Sequence, residues 1–110
     1  MILYLDTSTP TTILKLNDIT YEWQSHRDLA KNLLSFIHAK LTEHNKDWHD
    51  LTELHFFTGP GSFTGLRIGA TIINTLASEL NIPIYDQTGQ KLSFALPNYG
   101  KSANITIPKK

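Results

Sequence analysis

The sequence contains no cysteine. That absence excludes disulfide staples, thiolate metal sites and a cysteine nucleophile, and it suits a reducing compartment. Net charge is missing as well. Ten basic residues balance ten acidic ones, so no global field draws the chain toward nucleic acid or an acidic membrane. No apolar run approaches the ~18 residues of a membrane span. The opening "MILYLDTSTP" reaches Asp6 before the apolar core of a signal peptide can form. Internal repeats are absent too. These exclusions leave a cytoplasmic protein with no membrane contact as the expectation, and 110 residues suffice for one domain with a single core.

What is present is a pattern that changes period along the chain. Residues 2–5 ("ILYL") form a short apolar run. "TTILKL" (11–16) and "ITYEW" (19–23) alternate, with Asn17-Asp18 as a turn between them. Three strands in an antiparallel meander are expected. Leu29, Leu33, Leu34, Ile37 and Leu41 then follow a helical stripe, which predicts a helix over about 27–44. Ser25 with Asp28 three positions on resembles a capping box at its start. A strand over about 53–58 leads into a glycine-rich turn and a second helix over 63–80. Its apolar positions are Leu66, Ile73, Leu76, Ala77 and Leu80. Asn81 suits the left-handed residue that ends a helix, and Pro83 prevents its resumption. "IPIYD" (82–86) reads as a fifth strand. The fold class is therefore α/β, a mixed five-stranded sheet with two main helices over residues 1–86. Residues 87–110 hold Lys91, Lys101, Lys109 and Lys110 and no acid. This tail carries at most one or two short strands ("LSFAL", "NITI"), and it reads as a solvated end, an RNA-phosphate contact or an added strand over a sheet edge.

The stretch "FFTGPGSFTGLRIGA" (56–70) holds four glycines between a strand and a helix. That setting suits phosphate, because free N–H groups and the positive end of the helix dipole attract anions. The sharp motifs do not fit. No lysine lies between Lys46 and Lys91, so there is no Walker A sequence. Gly59, Gly61 and Gly65 read G-x-G-x-x-x-G, one residue longer than the dinucleotide fingerprint. Asp86, however, stands where a ribose-binding acid would be expected. Packing explains the glycines as well: Gly65 and Gly69 share one helix face, where each costs about 1 kcal/mol relative to alanine. Asp6 in turn either orders a magnesium ion through water or caps the first hairpin. The five histidines show no ligand spacing (His44 and His49 lie five apart across a helix end), and "GPGSFTG" places Ser62 outside the nucleophile-elbow pattern.

"GPGSFTGLRIGA" (59–70), preceded by "LDTST" (5–9), resembles the TsaB (YeaZ) family, and the likeness spans about residues 1–86. The resemblance implies the actin/sugar-kinase/Hsp70 fold, which is ribonuclease H-like. It also implies a role in making threonylcarbamoyladenosine (t6A) on tRNA. Family members resemble dead enzymes that act as scaffolds, pairing with and activating the catalytic subunit TsaD through their N-terminal helices. A TsaE-like ATPase joins through the complex, tRNA contact is indirect, and a homodimer through the same helices is expected for the chain alone. The implied partner interface comprises Leu33, Phe36, Ile37, Gly65, Ile68, Gly69, Ile72, Ile73 and Leu76. On this reading Gly69→Leu leaves the monomer folded and abolishes pairing. Arg67 then either meets an acid across the interface or points at the glycine turn to hold an anion. Family members carry a second domain of the same fold, and an ATPase of this fold clamps its nucleotide between two domains. The resemblance here covers the first, so it implies no catalytic residue and no cofactor, short of ATP or ADP with magnesium shared with a partner. The alternative is a small nucleotide-binding protein or enzyme using the Asp6/Thr7 hairpin and the glycine turn over 59–65, with Gly59, Gly61 and Ser62 as the candidate turn residues. Two family features are absent. TsaD's His-x-x-x-His pair has no counterpart, and Leu29-Ala30 stand where family members often have a histidine before Ser or Thr.

Overall fold

The computed structural model of the chain describes residues 1–98. The three amino-terminal strands are β1 (Ile2–Asp6), β2 (Thr11–Leu16) and β3 (Ile19–Gln24), paired antiparallel as a meander. Alternation sends Leu3, Leu5, Leu14 and Leu16 to one face, where all four are buried. Asn17 takes a positive φ of 54° in the β2–β3 turn, and its side-chain oxygen accepts the Ile2 amide at 2.8 Å. The turn is thereby tied to β1.

A 3₁₀ turn at His26–Asp28 leads into α1 (Leu29–Glu43). The chain returns through a second 3₁₀ turn at Trp48–Asp50 into β4 (Glu53–Phe56), which lies parallel to β1. After the glycine turn, α2 (Phe63–Leu80) ends at Asn81, left-handed with φ 57°. β5 (Ile84–Asp86) then pairs parallel to β4. The sheet order is β3-β2-β1-β4-β5-β6, with β6 (Lys91–Leu92) antiparallel to β5. Leu33, Ile37 and Leu41 of α1 and Leu66 and Ile73 of α2 pack with Leu3, Leu5, Leu14, Leu54 and Phe56 in one cluster, each 0% exposed. Burying each such side chain contributes about 1.5–3 kcal/mol. The alternate residues Tyr4, Ile13, Lys15, His55 and Tyr85 form the other sheet face, half-buried or exposed.

Four expectations are corrected. The sheet has six strands rather than five. The Asp86 carboxylate accepts from the Thr88 amide, the Thr88 hydroxyl and the Gln90 amide at 2.6–3.0 Å, and Gly89 takes φ 89°, so the chain reverses and adds β6. Only Lys91–Leu92 of that segment is strand, and Ala95 is instead gripped by α2: the Asn74 amide donates to its carbonyl at 3.0 Å and the Asn74 oxygen accepts its N–H at 2.6 Å. The other expected strand, 104–107, lies outside the described residues.

Ser25 does not cap α1. It is buried, shares a 2.8 Å hydrogen bond with the Thr12 hydroxyl and donates to the Pro10 carbonyl at 3.2 Å, so it serves the hairpin beneath it. The reciprocal capping box is at Asp47 and Asp50 of the second 3₁₀ turn. Finally, β4 stops at Phe56 because the chain must turn at Gly59, whose φ of 120° excludes most other residues.

Candidate functional site

The site is the junction between the β1–β2 hairpin and the glycine turn. Asp6 shapes the hairpin: one carboxylate oxygen accepts the Ser8 amide at 2.8 Å and the Ser8 hydroxyl at 2.6 Å, a local Asx turn. Burial of the neighbouring Tyr4 phenol, and after it the Asp6 charge, push the Tyr4 pKa upward. Thr7 points the other way, into the protein, and is 0% exposed. Its hydroxyl donates to the Gly65 carbonyl at 2.6 Å.

The glycines of α2 follow from that contact. A Cβ at Gly65 would strike the Thr7 carbonyl, and one at Gly69 would strike the Thr7 side chain and lie 3.1 Å from Phe56. The close approach expected on this helix face is therefore made by a hairpin of the same chain. Gly61 meets Ser8 in the same way. Ser62 completes the turn: its amide donates to the Ser8 carbonyl at 2.7 Å, and its hydroxyl accepts the Gly65 amide at 3.1 Å as the N-cap of α2. The structure thus brings Asp6, Thr7, Gly61, Ser62 and Gly65 together, with Gly59 buried behind them under Leu66.

A cleft of about 420 Å³ opens beside the hairpin, bounded by Thr9, Pro10, Arg27, Leu29, Ala30 and Thr64. It continues, through Ala30, Thr64 and Ile68, into a groove of about 360 Å³ between α1 and α2 that also touches Arg67, Thr71 and Ile72.

The residues expected at a partner contact divide in two. Leu33, Ile37, Ile73 and Leu76 lie in the chain's own core, and Gly65 and Gly69 lie against Thr7. The expected behaviour of Gly69→Leu is corrected accordingly, since that glycine serves internal packing. Phe36, Ile68 and Ile72 remain on the outer side, half-buried. Phe36 is stacked on Trp23 with ring centroids 4.8 Å apart. Leu34 joins the outer face, 44% exposed. It sits one position beyond the stripe set by Leu29, Leu33, Ile37 and Leu41, the signal that should have excluded it from the core.

Asp86 is occupied by its own turn, and the hydrogen bond from the Thr88 hydroxyl is the main cause lowering its pKa. The histidines go to separate neighbours. His44 bonds the Tyr21 hydroxyl at 2.6 Å, His38 stacks on Trp48, and His55 bonds Glu53 at 3.0 Å. Among the described residues no three His, Asp or Glu side chains gather where a metal could bind. No helix among them is long and apolar enough to cross a membrane.

A mixed sheet of this order, with a hairpin docked on a helix that follows a glycine turn, defines one lobe of the actin/sugar-kinase/Hsp70 class. Residues 23–86, more than half of the chain, match the family model described as "TsaD: tRNA N6-adenosine threonylcarbamoyltransferase". The chain is 36% identical over 90 residues to the tRNA threonylcarbamoyladenosine biosynthesis protein TsaB of Bacillus subtilis (strain 168), covering 76% of this chain and 38% of that protein. It superposes on YeaZ from Pseudomonas aeruginosa with a TM-score of 0.68 at 29% identity, over 77% of this chain and 42% of that one. A second Pseudomonas aeruginosa structure, described as similar to peptidase YEAZ, gives a TM-score of 0.69 at 29% identity over 77% and 41%. The chain belongs to this TsaD-type family and, within it, to the TsaB (YeaZ) proteins. It spans about two-fifths of the length of the relatives it matches.

Proposed function

We propose that the chain takes part in threonylcarbamoyladenosine formation on tRNA as a non-catalytic subunit. It pairs with a TsaD-like catalytic protein through the outer faces of α1 and α2 and activates it. A TsaE-like ATPase joins through that complex, tRNA contact is indirect, and the chain alone pairs with a second copy through the same faces.

The observation that carries this reading is the direction of Thr7. In the nucleotide-using alternative, the hairpin hydroxyl and the turn amides would face a phosphate. Here the hydroxyl is buried on the Gly65 carbonyl, the Ser62 amide bonds Ser8, and the Gly65 amide bonds Ser62. Groups already bonded inside the protein would have to break those bonds to bind an anion, at about 1–3 kcal/mol each. The half-buried Ile68 and Ile72, by contrast, line an open groove between two helices, a shape that accepts a helix from another protein.

The test is reconstitution. The TsaD-like protein of the same organism is assayed on a tRNA transcript with and without the chain, and activity is expected to depend on the chain. Coelution of the two proteins at tens of micromolar is expected as well. Separate elution sinks the pairing. Low-micromolar binding of ATP and magnesium by the chain alone, read by calorimetry, sinks the non-catalytic reading.

A further inference from the structure

We infer that the α1–α2 groove is built for a partner helix that carries carboxylates at one end of its apolar stripe. The inference rests on the pairing proposed above and adds the chemistry of the partner. Two arginines frame the groove, Arg27 where it opens into the cleft and Arg67 on its α2 wall. No Asp or Glu lines either stretch. Neither guanidinium has a carboxylate partner among the described residues, although the chain as a whole balances 10 acids against 10 bases. The positive rim is thus a local feature and not a spill-over of net charge.

Beside Arg67, the polar residues on the groove are Thr64 and Thr71. Ala30, Ile68 and Ile72 supply apolar surface, and the Thr71 hydroxyl is turned back onto the Arg67 carbonyl at 2.9 Å. Arg67 is held over the ring of Phe63, with its guanidinium carbon 5.3 Å from the centroid. That stacking orders the side chain before any partner arrives, so less side-chain entropy is lost on binding. A guanidinium on the rim of an apolar groove is matched by a carboxylate, which it engages through two parallel N–H donors. Rim charges of this kind fix register and speed encounter, while the apolar floor holds the complex. A lysine-rich or neutral helix would leave both arginines facing nothing or facing like charge.

Binding of the full chain to the TsaD-like protein of the same organism, measured at low and high salt, tests the inference. The variants are Arg27→Glu with Arg67→Glu together, and separately Ile72→Asp. Both arginines are exposed, so circular dichroism and melting of the double variant should match wild type. Affinity of the double variant is expected to fall about tenfold or more at low salt, and where wild type binding weakens with added salt, that of the variant should not. If Ile72→Asp abolishes binding while the double variant stays within about twofold of wild type, the carboxylate-bearing partner is overturned and the pairing stands. If neither variant changes binding, or wild type does not bind, the pairing through this face falls and the inference with it. If the double variant weakens self-association while its binding to the TsaD-like protein stays within about twofold of wild type, the arginines serve a second copy and the inference is overturned.

Discussion

Thr7 and Gly65 are 58 residues apart in sequence, yet the threonine hydroxyl donates to the glycine carbonyl across 2.6 Å in the buried centre of the protein. The bond fastens the first hairpin to the first turn of α2. Replacing Thr7 by valine keeps the shape and removes the donor. The urea midpoint should fall by the equivalent of about 1–2 kcal/mol with an unchanged slope. Thr7→Ser retains the hydroxyl and should lose less. A valine variant as stable as wild type would show that the bond contributes nothing.

Gly69→Leu is expected to unfold the chain, and Gly69→Ala to cost about 1–3 kcal/mol, because any Cβ there meets the Thr7 side chain and Phe56. Thermal melting followed by circular dichroism checks both. A well-folded leucine variant that merely loses its partner would restore the surface role for this glycine.

Asn74→Ala should release the segment from Ser93 to Pro97. Two hydrogen bonds to Ala95 are lost together, and Ala95 is 1% exposed in the intact fold. Faster hydrogen exchange at the Ala95 amide and proteolysis confined to this segment are expected, with a global loss of about 1–2 kcal/mol.

The β5–β6 turn should loosen in acid. Hydrogen bonding from Thr88 lowers the Asp86 pKa in the folded state. Such a carboxylate contributes stability that is present above its unfolded pKa of about 3.9 and is lost as pH falls through the lower folded value. Protection of the Gln90 amide, its exchange rate taken relative to the unstructured rate at the same pH, should therefore fall below about pH 4 in wild type. In Asp86→Asn the same amide should show no such acid step.

Much of this fold was legible because its elements follow single periods. The alternation of β2 names Leu14 and Leu16, and four leucine or isoleucine positions at a spacing of four define the inner face of α1, whereas the apolar run of β1 does not by itself say that Leu3 and Leu5 face inward. Asn81 before Pro83 marks the end of α2. What escaped depends on partners distant in sequence. Two glycines on one helix face announce a close approach, but nothing in the sequence says that Thr7 makes it. Ser25 looks like a cap because its real partners, Thr12 and Pro10, are brought near only by the hairpin. β6 is two residues long, too short for alternation to reveal, and exists because of the turn at Asp86. Phe36, expected at a partner contact, stacks on Trp23, which comes from the distant edge strand β3.

The nesting of Thr7 between Gly65 and Gly69 also restricts how this lobe can diverge. A bulkier residue at 7 has no space to enter, and a side chain at 65 or 69 has none to leave. Enlarging any one of these sites alone makes a collision, so larger side chains can enter only if the three positions change as a set. Turning the hairpin hydroxyl toward a ligand would require remodelling the helix that cradles it.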